Sequence, residues 1–291
     1  MNKRIYIFCC LFFIGHILLA QNNMKMNIWQ DSLYKLGLDM SNNSGEAERL
    51  ESNSKFVKSL VSSLKEPNSF YFNFEKLKMI SVINSPDNSF RIFSWSLRLQ
   101  DGSFLFYGAI QHKSSTIKLT PLLDKTFEIK KPDSEIVTAS NWYGARYYDI
   151  IALNKNKYIL LGWKGHHAEY SKKVIEVLNV NSDGKITLGA PVFSDQKNLV
   201  RKIFSFTSQA SMYLKSNTKL SRIEFDHIVP ADPSLEGNYK YYGPDLSYDG
   251  YEISNGNLKF KENIDVRNPD RGDHDLNRDP LKIDSKRKSG L

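Results

Sequence analysis

The chain has 291 residues, 40 of them basic and 32 acidic, for a formal net charge of +8. The basic residues are interleaved with acidic ones and form no stripe, which argues against nucleic acid as a partner. Both cysteines, Cys9 and Cys10, lie in the first ten residues, so everything downstream lacks a thiolate nucleophile, a disulfide and a Cys-ligated zinc.

The first 21 residues, MNKRIYIFCCLFFIGHILLAQ, place Lys3 and Arg4 before an apolar run over 5–19 that ends in Leu19-Ala20. A basic start, an apolar middle and a small-residue exit form a secretory signal peptide over 1–20. A bilayer-spanning helix needs roughly 20 apolar residues, and this run is shorter. The competing reading is a retained membrane anchor. Gln21 stands where a lipoprotein would carry its modified cysteine. The expectation is export to the periplasm or beyond, with no integral membrane segment after cleavage and one globular domain over 21–268.

Residues 27–66 read as helical, with a polar break at Ser41-Asn42-Asn43-Ser44, an N-cap at Ser44 and a stop at Pro67. In the second half Leu50, Phe56, Val57, Leu60, Val61 and Leu64 recur at helical spacing. From about residue 70 the period falls to two. Over 92–99, Phe93, Trp95, Leu97 and Leu99 alternate with Ser94, Ser96 and Arg98, which predicts a half-buried strand. Asp101-Gly102 then signals a hairpin to a strand over 104–110. Further pairs are predicted over 147–153 with 158–163, 174–180 with 185–188, 212–215 with 222–228, and 251–254 with 258–261. The fold class is α+β and β-dominant, with N-terminal helices packed on a mostly antiparallel, hairpin-rich sheet or sandwich. Residues 269–291 read as a disordered polar tail, since they hold too little apolar surface to offset the entropy of ordering.

Several stretches carry residues capable of chemistry. The tail segment around Asp273 has carboxylates at alternate positions but lacks the glycine and the terminal glutamate of a calcium loop, so it reads as solvated. Gly165-His166-His167-Ala168-Glu169 has no third ligand at metal spacing and reads as a surface turn. No metal and no cofactor are expected. Asp226-His227 is the best acid/base candidate, yet strand neighbours face opposite sides, so Asp226 is expected to cap the following turn. Asp245 completes a weak polar cluster with them. Aromatic residues concentrate in two places, around Trp142 and Tyr143, and over 238–253, where Tyr241, Tyr242 and Tyr248 accompany Gly243-Pro244-Asp245. Such amphipathic rings suit sugar stacking or a protein partner, and the glycine and proline mark the second stretch as a loop. No Gly-x-Ser-x-Gly elbow, phosphate loop, dinucleotide fingerprint or zinc-protease helix is present.

Taken in order, SPDNSFRIFSW, DGSFLFYGAIQ, NWYGARYYDII, YILLGW, FDHIVP, LEGNYKYYGPDLSYDGYE and IDVRN resemble an uncharacterised family of secreted or periplasmic Bacteroidota proteins, over roughly 46–268. The resemblance implies export and supplies no catalytic or ligand residue. The expectation is therefore a non-enzymatic envelope domain that binds a cell-envelope protein or glycan through Trp142, Tyr143, Tyr241, Tyr242 and Tyr248. The opposing readings are an unrecognised envelope hydrolase using Asp226, His227 and Asp245, and a purely structural envelope component.

Overall fold

The computed structural model describes residues 3–266 apart from 115, 117 and 182, so the expected tail over 269–291 lies outside the described residues. Helix α1 (Lys3–Asn42) begins upstream of the expected start at 27. Met26, Gln30, Leu33 and Met40 form its buried stripe, which leaves Ile28 and Leu38 in solvent. Helix α2 (Glu46–Leu64) buries Phe56, Leu60 and Leu64 and stops before Pro67. Its N-cap is Gly45, not Ser44, and no side chain caps it.

Fourteen strands follow among the described residues, and every pairing between them is antiparallel. Strands β1 (Ser81–Asn84), β2 (Phe90–Arg98), β3 (Phe104–His112) and β4 (Lys118–Leu123) form the first sheet in sequence order. The β2–β3 hairpin closes at Arg98 and Phe104 around Asp101-Gly102. Gly102 takes φ +84°, a conformation that glycine adopts without steric cost. The second sheet takes the order β5-β9-β8-β7-β6. Its strands are β5 (Val137–Thr138), β6 (Arg146–Ala152), β7 (Lys157–Gly165), β8 (Tyr170–Val180) and β9 (Ile186–Leu188). Strand β10 (Lys202–Thr207) pairs with the first half of β8. Strands β11 (Leu214–Asn217), β12 (Arg222–Pro230), β13 (Tyr242–Ser254) and β14 (Asn257–Lys261) make the third sheet. Asn255 and Gly256, both at positive φ, turn β13 into β14, as a two-residue hairpin requires.

The three apolar cores show how these sheets stack. One lies between the helices and the first sheet, joining Leu33, Phe56 and Leu60 to Phe93, Trp95 and Leu97. The next joins Phe90, Ile92 and Ile110 of the first sheet to Tyr147, Leu160 and Leu178 of the second. The third joins Ile159, Leu161 and Ile175 of the second sheet to Ile223, Phe225 and Tyr251 of the third. The second sheet is thus covered on both faces, which explains the unbroken apolar run of β7.

Strand β2 departs from the half-buried expectation for the same reason. Its Phe93, Trp95 and Leu97 face the helices, while Phe90 and Ile92 face the second sheet. The serine face is also covered: Ser94 is fully buried, and its Oγ accepts the Tyr147 backbone N–H at 2.9 Å. Arg91 is buried as well, and it donates to Gln111 Oε1, Phe72 O and Ser69 O at 2.6–2.8 Å. That satisfies a cation which would otherwise be costly to bury.

Candidate functional site

One β-bulge starts the site. In the β6–β7 pairing the register slips between Tyr147 and Asp149, and a bulge re-aims the extra residue. Tyr147 stays in the core, fully buried, while Tyr148 is 38 % exposed. Its hydroxyl donates to Leu214 O at 3.0 Å, tying the second sheet to β11. Lys173 of β8 lies over the Tyr148 ring at 5.5 Å and donates to Met212 O at 2.6 Å.

These contacts frame a cleft of about 810 Å³, lined in part by Tyr148, Asp149, Trp163, Lys173, Tyr213, Asp226 and Tyr248. Tyr213 and Tyr248 meet edge to face at 5.9 Å. The Tyr213 N–H donates to Asp226 Oδ2 at 2.6 Å. Asp149 Oδ2 accepts from Ser216 Oγ at 2.6 Å. A second cavity of about 390 Å³ continues from the first, since Trp163, Lys173, Ser211 and Met212 line both. Arg98, Phe104, His167 and Ser171 add to its wall. Together they form one groove with Trp163 at its middle.

Trp163 is held by its neighbours. Phe104 meets it edge to face at 5.0 Å. Gly165, two residues on along the strand, leaves room for the indole: a Cβ there would sit 2.4 Å from Trp163 Cη2 and 2.6 Å from Phe104 Cδ2.

The groove is electrostatically uneven. Asp149 and Asp226 lie in the larger cavity with Lys173 and Lys215. Desolvation raises the pKa of Asp226 against the opposing Tyr213 hydrogen bond and Lys173. Burial lowers that of Lys173. The smaller cavity has Arg98 and Lys173 on its wall and no carboxylate.

The sequence-predicted residues scatter around this groove. Tyr248 and Asp226 line it. Trp142 and Tyr143 do not: they are 0 % and 2 % exposed and belong to the core between the first two sheets. Trp142 Nε1 donates to the Tyr147 hydroxyl at 2.8 Å, so its polar atom is satisfied without water. They therefore form no exposed patch with Tyr241 and Tyr242. The second aromatic stretch is also less of a loop than expected, because β13 takes in Tyr242–Ser254. Across from His227 its pairing opens, and Asp245, Leu246 and Ser247 have no partner on β12. Leu246 sits there at φ +74° and 90 % exposed.

Asp226, His227 and Asp245 do not converge in one cavity. Asp226 receives the Tyr213 N–H and caps no following turn. His227 Nδ1 pairs instead with Asp249 Oδ2 at 2.6 Å, and that hydrogen bond raises its pKa. Asp245 Oδ1 accepts both the N–H and the hydroxyl of Ser247, at 3.0 and 2.7 Å. Tyr241 is 45 % exposed. Tyr242 accepts the Gly237 N–H at 2.9 Å and packs on Tyr239 at 5.2 Å. Tyr239 in turn meets Tyr170, and His166 and His167 lie 4.7 and 4.3 Å from Tyr170. The two histidines thus join the tyrosine segment as one aromatic ledge beside the groove.

Sequence reasoning missed Trp163, Lys173 and Tyr213 as site residues. Tyr148 stood in an aromatic concentration without being singled out. The available signal was Gly162-Trp163-Lys164-Gly165, a large ring bracketed by glycines at a strand end, where a backbone without side chains leaves space for it.

Among the described residues no group of three His, Cys, Asp or Glu can hold a metal ion. No described helix is long and apolar enough to cross a membrane. The chain matches no family model, no curated protein and no solved structure.

Proposed function

We propose that this chain is an exported, non-catalytic domain of the cell envelope that binds a glycan along the groove centred on Trp163. The observation that carries the reading is the lining itself. Tyr148, Trp163, Tyr213 and Tyr248 supply ring faces and edges, and Asp149, Asp226 and Ser211 supply polar atoms between them. Sugar rings present apolar faces and hydroxyl edges, so a wall that alternates aromatic and hydrogen-bonding groups matches both. Concave cavities of about 810 and 390 Å³ have the size and shape of small-ligand sites, which suits a short oligosaccharide better than a flat protein partner. Binding without catalysis is favoured because the acid and the imidazole adjacent in sequence part company, Asp226 to the groove and His227 to Asp249. Export rests on the N-terminal pattern of Lys3-Arg4, an apolar run and Ala20, and accords with the resemblance to exported Bacteroidota proteins.

The test is an oligosaccharide panel presented to the full chain, followed by calorimetry on the best ligand with Trp163→Ala and Tyr248→Ala. Aromatic contacts are worth about 1 kcal/mol or more, so each variant is expected to weaken binding at least about fivefold. Unchanged affinity in both would remove the groove as the site. Fractionation of the source cells tests location: the chain is expected outside the cytoplasm.

A further inference from the structure

The smaller half of the groove differs from the larger in charge, and this carries an inference about which glycans it takes. Arg98 ends strand β2, and its side chain is exposed at the cavity wall. Its backbone carbonyl accepts from Arg49, but its guanidinium makes no hydrogen bond or ion pair among the described residues. Lys173 contributes the second cation, and of its ammonium hydrogens Met212 O takes one. No Asp or Glu lines this cavity. The hydroxyls of Ser171 and Ser211 stand in the same wall without a protein partner among the described residues. Trp163 lines both halves.

Lys173 is shared with the larger half and feels Asp226 there, but Arg98 is unpaired and the smaller half has no carboxylate of its own, so its wall is net positive and marks a place for an anion. A guanidinium left unpaired presents the planar fork that matches a carboxylate or a sulfate with two parallel hydrogen bonds. The larger cavity sets Asp149 and Asp226 against Lys173 and Lys215, so it offers the same group no net attraction. An anionic substituent is therefore directed to one end of the groove, which also sets the direction in which a chain lies.

We infer that the groove selects acidic oligosaccharides, seating a carboxylate- or sulfate-bearing sugar against Arg98 and Lys173 while neighbouring sugars cover Trp163 and Tyr248. This rests on the glycan-binding reading and adds the substrate class and polarity.

The experiment titrates the full chain with three oligosaccharides of equal length: one uronate-containing, one sulfated and one neutral. Each is measured at low and moderate salt, with wild type, Arg98→Ala and Arg98→Lys. Arg98 is exposed and ends a strand, so Arg98→Ala is expected to unfold at the wild-type temperature, which circular dichroism checks. At least one acidic ligand is expected to bind more tightly than the neutral one and to weaken with salt. Arg98→Ala should cost roughly tenfold for that ligand, the scale of a charge-assisted hydrogen bond, and less than about twofold for the neutral one. Arg98→Lys should fall between, since it keeps the charge and loses the fork. Which acid responds identifies the source of the anion. Equal affinity for neutral and acidic ligands, or an Arg98→Ala variant that binds acid as wild type does, overturns the inference and leaves the glycan reading standing. No binding to any of the three, and to no member of the wider panel, overturns both.

Discussion

Replacing Lys164 with methionine should erase a specific increment of stability between pH 7 and pH 9. Lys164 lies in β7 and is 2 % exposed. Its ammonium donates to Gly144 O at 2.6 Å and Thr126 Oγ1 at 2.7 Å, and sits over the Tyr143 ring at 4.2 Å. Burial lowers its pKa from 10.5 to about 7, against the pull of Asp124. Between those two values the unfolded chain holds a proton that the folded chain has released, so stability rises with pH. Below about 7 both states are protonated and the fold bears the full cost of burying the charge. Above 10.5 that cost is gone. The slope in between approaches about 1.4 kcal/mol per pH unit, which integrates to about 2 kcal/mol from pH 7 to pH 9. Methionine has similar length and no charge. It leaves the Gly144 carbonyl and the Thr126 hydroxyl without their donor, a penalty of about 1–3 kcal/mol each, but one that is the same at both pH values. The assay is urea denaturation of wild type and Lys164→Met at pH 7.0 and 9.0. The wild type should gain about 2 kcal/mol more than the variant over that interval. Equal gains would refute the assignment of a proton-releasing lysine in this core.

Two further outcomes follow from the same geometry. His227 should titrate above its ordinary value of 6.5 because it pairs with Asp249; the contribution of that pair is full below 6.5 and fades as pH rises through the folded value, and NMR of the imidazole should show the pKa falling in Asp249→Asn. Gly165→Ala places a methyl 2.4 Å from Trp163 Cη2, so it should cost about 1–3 kcal/mol as an overpacked site, shift the indole fluorescence and weaken whatever ligand covers Trp163, whereas a wild-type melting curve would show that the indole is not pinned there.

The hairpins were legible in the sequence because each is specified locally. Asp101-Gly102 and Asn255-Gly256 supply the positive φ values that their turns need, and the flanking runs need only pair. What local pattern does not contain is how sheets stack. Strand β2 alternates apolar and small polar residues just as a solvent-facing strand would. Only the second sheet lying against its Phe90 and Ile92 makes both faces interior. The groove was illegible for a related reason: Arg98, Tyr148, Trp163, Lys173, Tyr213, Asp226 and Tyr248 come from seven strands or their connections, spread over all three sheets. No window of the sequence brings them together.

Aromatic density proved a poor guide to exposure, and the polar atoms explain why. A Trp or Tyr can be buried at little cost if its N–H or O–H finds a partner inside. Trp142 and Tyr147 are partners to each other, at 2.8 Å, and the five-residue spacing that joins them is visible in the sequence once one asks how each would be satisfied. Tyr148 sits next to Tyr147 and shares its composition and neighbourhood, yet it lies on the opposite face of the strand, and its hydroxyl is satisfied by Leu214 O of a different sheet. The same local sequence, RYYD, therefore feeds both the core and the groove. The bulge leaves Tyr148 without a partner on β7 and sets Asp149 opposite Leu161, so Tyr148 and Asp149 both line the groove. That makes the Tyr147–Asp149 register the structural feature on which the groove depends: regular pairing there would set Tyr148 opposite Leu161 of the core between the second and third sheets and take away the wall that β11 and Lys173 build upon.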